Sequence, residues 1–366
     1  MKKRIGVILG AWLVAVLVVS CGPVSGGENF EAKPVDGSPI LFDEGMEFYN
    51  IEPSVVTDGE AKYIFYTVNS APSGGKSSIA VRKASQKDGK WIYGEKTTAL
   101  LPSENGFDSE SVSDADVVKG TFRYDGKDYG WLMAYQGRNT SDEKNHKIGF
   151  AVASDPTGEW TKVEGLQIES EFPAGYGVSQ PSLINYDKQN KVVLFYSYDR
   201  VTYTGQALLE LDASDLSAPV RGEENTLTTD GLKEGNDYVT FNDADFAYDD
   251  ESGYLYVVRN YNPASTQGCK LNTAVQVNKI LFSELLTSNA KWETVDEKVD
   301  WKDLLDPADE DNMGWSYVYS GSIQADGYGY VTGTEQLDLV LTVTSYDDSS
   351  FEYLYYQTLT EIGVAV

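Results

Sequence analysis

The sequence predicts an all-β fold, a single five-bladed β-propeller, and three features carry that expectation. Between Ser113 and Val163 four short strand-like runs (Ser113–Val118, Trp131–Tyr135, Ile148–Ser154 and Trp160–Val163) are separated by turn chemistry such as Asp125-Gly126 and Asp155-Pro156-Thr157-Gly158. Four antiparallel strands in roughly fifty residues constitute one propeller blade. The unit recurs along the chain, and no stretch carries the long apolar period of an amphipathic helix.

Each copy begins on a related first strand: Glu52-Pro53-Ser54-Val55-Val56, Asp114-Ala115-Asp116-Val117-Val118, Gln180-Pro181-Ser182-Leu183-Ile184, Asp243-Ala244-Asp245-Phe246-Ala247 and, more weakly, Ser320-Gly321-Ser322-Ile323-Gln324. The shared order is a polar residue, a small residue or proline, Ser or Asp, then an apolar residue. Second strands are expected at Tyr63–Thr67, Trp131–Tyr135, Val192–Tyr196, Tyr254–Val258 and Leu337–Val343. Third strands are expected at Ser78–Val81, Ile148–Ala153, Ala207–Leu211, Lys279–Phe282 and Tyr353–Tyr356. Blades one, two and four then reach Trp91, Trp160 and Trp292. The repeat is roughly sixty to seventy residues, longer than the usual propeller repeat, and the excess is loop.

Loop lengths point to one elaborated face. First-to-second connections are mostly tight, as at Asp58-Gly59-Glu60 and Asp249–Ser252. Those after second strands (Asn69–Ser77, Gln136–Lys147, Asn260–Gln276) and between blades (Leu101–Ser113, Gly165–Ser179, Gly222–Asn242, Trp301–Tyr319) are long. All the long ones emerge where first strands begin, around the mouth of the central channel, and binding residues concentrate on such loops. First strands are innermost, so Glu52, Asp114, Gln180, Asp243 and Ser320 are expected to converge at that mouth. Three carboxylates there would push one another's pKa values apart, which separates acid from base roles. The alternative is that each acid caps backbone N–H groups at a strand start.

Composition narrows the partners. The net charge of −28 disfavours nucleic acid, whose phosphates need Lys and Arg. The 25 Tyr and 7 Trp suit strands, and a few of them could serve a site. At the N-terminus Lys2, Lys3 and Arg4 precede an apolar run, Ile5–Val19, and then Ser20-Cys21-Gly22, which reads as a secretory signal. Val18-Val19-Ser20-Cys21 resembles a bacterial lipobox. The expectation is a signal peptide over 1–20, a lipid on Cys21, a flexible tether over 21–38 and the propeller over 39–366. The protein would then be a monomeric lipoprotein of the cell envelope, on the outer membrane, touching lipid only through Cys21. With Cys21 acylated, Cys269 has no disulfide partner, and the core and sheet ladders must hold the fold.

Ile51–Val56, Asp114–Val118 and Gly149–Trp160, in that order across the blades, resemble glycoside hydrolase family 43, five-bladed enzymes acting on arabinose- and xylose-type linkages. The resemblance spans most of residues 45–345. It implies inverting hydrolysis with Glu52 as base and Asp114 tuning the acid, and it places the acid at the opening of blade three. Position 52 holds Glu where the family holds Asp, and the place of the acid falls on Ser179-Gln180, neither of which is an acid. A surrogate acid would come from Asp243, Asp199 or the lone histidine, His146, with Asp243 leading. Sugar contacts are expected from Tyr135, Arg138, His146, Gln180, Tyr198, Arg259 and Trp315, with Gln136, Arg200, Asn260 and Tyr317 as further rim residues; aromatic faces stack on sugars and Arg forks bind hydroxyls. No cofactor or metal is expected. The channel calcium that related enzymes hold through a histidine has no histidine to hold it in blades three to five. Two main readings stay open. One is a hydrolase of a plant- or host-type oligosaccharide or polysaccharide. The other is a non-catalytic glycan-binding propeller that has lost the blade-three acid. A structural lipoprotein without ligand is a third.

Overall fold

Five antiparallel sheets follow one another along the chain in a computed structural model. The structure describes residues 41, 50–69, 76–88, 90–141, 144–171, 175–200, 203–232, 240–261, 274–300, 315–333, 335–345 and 356–366. The signal peptide, Cys21, the tether and Cys269 lie outside these residues. Blade one consists of β1 (Asn50–Asp58), β2 (Ala61–Asn69) and β3 (Ser77–Lys87). Its outer position is shared by β4 (Lys90–Tyr93) and β5 (Thr97–Leu100), which pair with opposite halves of β3. Blade two is β6 (Ser111–Tyr124), β7 (Lys127–Arg138), β8 (Lys147–Ala153) and β9 (Thr161–Ile168). Blade three is β10 (Val178–Asn185), β11 (Lys191–Arg200), β12 (Tyr203–Asp212) and β13 (Val220–Thr226). Blade four is β14 (Asp245–Tyr248), β15 (Tyr254–Tyr261), β16 (Ala274–Leu281) and β17 (Glu293–Asp300). Blade five, after a departure of β19 (Ala325–Asp326), is β18 (Trp315–Ile323), β20 (Gln336–Ser345) and β21 (Tyr356–Ala365). Its third strand therefore begins where the sequence suggested it ends. A single 3-10 turn, Phe282–Glu284, is the one helical element among the described residues.

The second strands explain why blades stack. In β2, Lys62 through Asn69 are all buried, so both faces of the strand are covered. Neighbouring blades supply the cover, and the apolar residues fall into five clusters, one between each consecutive pair. Val56, Phe65, Val117 and Met133 join blades one and two; Leu132, Phe150, Leu194 and Leu209 join two and three. Phe195, Phe246, Val257 and Trp292 join three and four, Val258, Val277, Leu339 and Leu341 join four and five, and Ile64, Tyr66, Val340 and Leu359 close five onto one. Of the tryptophans that follow the third strands of blades one, two and four, Trp160 and Trp292 are wedges in these seams. Trp160 meets Phe65 edge-on at 5.8 Å and donates its indole N–H to the Pro156 carbonyl, and Trp292 meets Phe241 at 5.2 Å and donates to the Thr228 carbonyl. Burial of a seam side chain of this size contributes about 2 kcal/mol or more.

One connection departs from the expected trimmed face. Between β18 and β20 the chain crosses the end of the channel away from the mouth and touches the innermost strand of every other blade. Ala325 and Asp326 pair in parallel with Val56 and Thr57 of β1. Lys119 N–H of blade two donates to the Gly327 carbonyl, Asn185 N–H of blade three to Tyr328 (2.9 Å), and Tyr248 N–H of blade four to Gly329 (3.0 Å). Gly329 has φ +86°, and a Cβ there would lie 2.9 Å from the Leu183 carbonyl oxygen, so only glycine fits without displacement of backbone. This segment plugs the channel and ties the five innermost strands together, which is one way to close a propeller. The N–H of Leu41 also donates to the Leu359 carbonyl on β21 (3.1 Å), bringing an N-terminal residue onto the C-terminal strand.

Candidate functional site

The innermost strands share a local irregularity that the sequence motif encodes. Register shifts interrupt β1 between Ile51 and Ser54, β6 between Ser113 and Asp116, β10 between Ser179 and Ser182, and β18 between Tyr319 and Gly321. The residue at the break has positive φ each time: Glu52 (55°), Asp114 (45°), Gln180 (53°) and Ser320 (45°), and Asp243 (45°) takes the same conformation ahead of β14. Left-handed backbone in non-glycine residues costs on the order of 1 kcal/mol each and gathers at functional sites. A β-bulge re-aims its side chain, and here five bulge-type residues turn toward the axis. In blades one, two and four the second residue after the opener lines the pocket too, so its wall includes Glu52, Ser54, Asp114, Asp116, Gln180, Asp243, Asp245 and Ser320. The five openers that the sequence placed together do meet, in one pocket of about 340 Å³ counted out to its open mouth.

Side chains of the preceding blade hold most openers in this conformation. Thr67 Oγ1 accepts the Asp114 N–H (3.0 Å), Gln136 Oε1 that of Gln180 (3.4 Å), Asn260 Oδ1 that of Ser320 (2.7 Å) and Thr342 Oγ1 that of Glu52 (3.2 Å). Blade four differs: the Asp243 N–H donates to Gln180 Oε1 (3.2 Å). The openers are also linked to one another. Glu52 Oε2 accepts the Asp114 N–H at 3.3 Å. Asp243 is clamped by two amides, Gln180 Nε2 donating to Oδ1 and Asn260 Nδ2 donating to Oδ2.

One ring deeper, Ser54, Asp116, Ser182, Asp245 and Ser322 form an inter-blade belt. Asp116 accepts the Leu183 N–H (2.5 Å), Ser182 that of Phe246 (3.0 Å), Asp245 that of Ile323 (2.8 Å) and Ser322 that of Val55 (3.1 Å). Ser54 completes the circle by donating to Asp116 Oδ1 (2.5 Å). These acids are caps of the kind weighed against function in the sequence, displaced two residues along from the openers.

Burial governs the carboxyls here. Asp243 is pushed up to about 6 by loss of water, against the Asn260 amide, which favours the ionised form. The expected lift from neighbouring negative charge is not the cause. Asp116 is pushed up to about 6 by burial, opposed by Ser54 and the Leu183 N–H, and Asp245 to about 7 by burial and then by the Asp116 charge. Asp116 and Asp245 in the fold hold protons that the unfolded chain releases near pH 3.8. Their contribution to stability is therefore full below that pH and is lost as pH rises through about 6 to 7. We expect Tm to be several degrees lower at pH 8 than at pH 5, and Asp245→Asn, which keeps the acceptor for Ile323, to shrink that difference. An undiminished difference in the variant would show that Asp245 does not titrate in this range.

The other residues named from sequence are placed elsewhere. Tyr135 is 1% exposed, donates its hydroxyl to Asp108 (2.9 Å) and stacks on Phe107, so its ring fills blade two and does not face the mouth. Tyr198 is buried with its hydroxyl 3.2 Å from Thr226 Oγ1. Arg259 is 0% exposed, because its guanidinium is spent on Asn278 Oδ1, Gln276 Oε1 and the carbonyls of Thr240 and Asn260. His146 is not an exposed loop residue: it is 0% exposed, bridged to Gly177 and edge-on to Tyr176 at 4.1 Å. Arg138 lies outside the pocket wall and donates to the Thr140 carbonyl (2.6 Å). Asp199, the other surrogate acid, accepts the Tyr176 N–H (2.8 Å) away from the pocket. The Trp315 backbone opens β18, paired with Ser345, while the side chains of Trp315, Tyr317 and Arg200 lie outside the described residues. The deeper ring was not anticipated, although the recurrent Ser-or-Asp position of the first strands was its signal. Among the described residues no group of three or more His, Cys, Asp or Glu has the arrangement of a metal site.

No protein-family model matches the chain, and no curated protein matches it in sequence. Solved structures match it in shape. A structure described as an RGII complex aligns with 91% of this chain and 90% of its own at 11% identity and TM-score 0.54. The endo-arabinase of Bacteroides thetaiotaomicron aligns over 86% and 93% at 12% identity and TM-score 0.52, and the RS223 β-xylosidase over 87% and 93% at 11% and 0.52. At these identities the likeness is one of fold, and the fold shared with these structures is the five-bladed β-propeller.

Proposed function

We propose that this is a glycan-active propeller whose mouth pocket takes one glycosyl unit and cleaves its glycosidic bond with inversion. The observation that carries the reading is Asp243: a carboxyl pushed up to about 6, held in orientation by two amides, in a pocket that also contains Glu52 and Asp114. Structures of the same fold are described as complexes with RGII, cellotriose and xylotriose, which supports an oligosaccharide as the ligand.

In this reading Asp243 is the general acid. Each carboxyl oxygen has about two acceptor sites, so a protonated Asp243 keeps both amide contacts while its O–H is given to the glycosidic oxygen. Glu52 is the general base and takes a proton from water on the opposite face of the sugar. Water oxygen bonds to the anomeric carbon, the leaving group departs with the proton from Asp243, and the anomeric configuration inverts. The Asp114 backbone N–H steadies the Glu52 carboxylate. Gln180 serves the acid and not the sugar, since both ends of its amide engage Asp243.

On a panel of arabinosides, xylosides and galactosides, kcat/KM should fall about tenfold per pH unit above roughly pH 6, where Asp243 loses its proton. The glycan-binding reading is favoured by one observation, an amide at the blade-three position. Binding on the panel by calorimetry without turnover would select it; neither binding nor turnover would remove both. We further propose that the protein is held on the cell envelope through Cys21. Cys21→Ser should abolish incorporation of labelled palmitate, and unchanged labelling would remove the anchor.

A further inference from the structure

Asn260 stands out among the polar residues around the mouth because it joins two walls. It is buried on β15, one residue beyond the point where the second strand passes the opener of its own blade. Its Nδ2 donates to Asp243 Oδ2, and its Oδ1 accepts the N–H of Ser320, the opener of blade five, at 2.7 Å. Its own N–H donates to the Asn242 carbonyl at 2.9 Å, which fixes the chain next to Asp243 as well. Behind it the buried Arg259 guanidinium binds the Asn260 carbonyl and the side chains of Gln276 and Asn278, so the strand segment has little freedom to rotate. The equivalent residues of blades one, two and five (Thr67, Gln136 and Thr342) likewise catch the next opener.

We propose that Asn260 is a positioning residue for Asp243: its amide fixes the orientation of that carboxyl, ties it to the blade-five wall and opposes its protonation. The inference rests on the reading of Asp243 as the acid, but its physical content is separable from that reading. A donor to a carboxylate favours the ionised form, so Asn260 counteracts burial and keeps Asp243 able to give up its proton and regain it near neutral pH. Among the described residues, the other charged or titratable groups around Asp243 are Glu52 and Asp114 in the mouth, Asp116 and Asp245 one ring deeper, and Arg259 behind Asn260. None of these is altered by changing Asn260.

The test is a titration of the Asp243 carboxyl by ¹³C NMR of aspartate-labelled protein, with Asp243→Asn assigning the signal. Asn260→Ala removes both contacts, and Asn260→Asp keeps the acceptor for Ser320 while replacing the donor. Loss of one such hydrogen bond should raise the Asp243 midpoint by about one pH unit in Asn260→Ala. In Asn260→Asp the rise should be larger, because two carboxyls then face one another, and Tm should drop less than in Asn260→Ala because the Ser320 contact survives. If the wild type turns over a glycoside, the alkaline limb of kcat/KM should move up by the same interval in Asn260→Ala. An Asp243 midpoint unmoved in both variants would overturn the proposal, whatever the activity. A shifted midpoint in a protein that turns over nothing would uphold the placement of the carboxyl and defeat the hydrolase reading instead.

Discussion

Gly329→Ala is expected to destabilise the protein by about 2–4 kcal/mol, a large effect for the addition of one methyl group. The new Cβ would lie 2.9 Å from the Leu183 carbonyl oxygen and 3.1 Å from Ile184 Cα, both backbone atoms that cannot rotate away. It would also sit at φ +86°, which L-residues seldom adopt. The strain falls on the segment that bonds to the innermost strands of blades one to four, so it loosens the closure of the whole ring. Gly126→Ala is the control. It has φ +74° in the β6–β7 turn, and nothing lies within 4 Å of its would-be Cβ, so it should cost only about 1 kcal/mol. Urea midpoints for the two variants decide the matter: equal losses would mean that the plug is not held tightly against β10.

The second large effect concerns Glu52. Glu52→Gln keeps the length and shape of the side chain and its acceptor for the Asp114 N–H, but cannot take a proton from water. Turnover should fall by about three orders of magnitude or more, while glycan affinity changes little, because a general base acts on the transition state and not on ground-state binding. Asp114→Asn should be milder, since its contact with Glu52 is made by its backbone.

Much of this architecture was legible in the chain. The polar–small–Ser/Asp–apolar motif located the five innermost strands, and first strands lying at the axis brought Glu52, Asp114, Gln180, Asp243 and Ser320 into one pocket. The bulge was not legible, because nothing in Glu or Gln announces positive φ; the acceptors that hold it, Thr67 and Thr342, belong to other blades. His146 read as a loop residue. It is buried because Gly177, at φ +105°, lets its backbone approach so closely that a Cβ there would collide with the His146 backbone. Tyr135 read as a rim aromatic near a strand end. Phe107, from an inter-blade connection distant in sequence, covers it. Nothing in the sequence marked Tyr328-Gly329-Tyr330 as a plug, since a plug is defined by contacts with Lys119, Asn185 and Tyr248 that no local pattern reveals. What escaped the sequence was long-range each time: which distant group covers a side chain or receives a backbone donor.

The most direct test of the mouth pocket as an inverting hydrolytic site is the anomeric configuration of the first product. Hydrolysis of arabinan- and xylan-type oligosaccharides followed by ¹H NMR separates the initial anomer from its later mutarotated partner. The account predicts that the wild type releases the anomer opposite to the bond cleaved, and that Glu52→Gln releases none while still binding the same oligosaccharide by calorimetry. Release of the retained anomer, or normal turnover by Glu52→Gln, would contradict it.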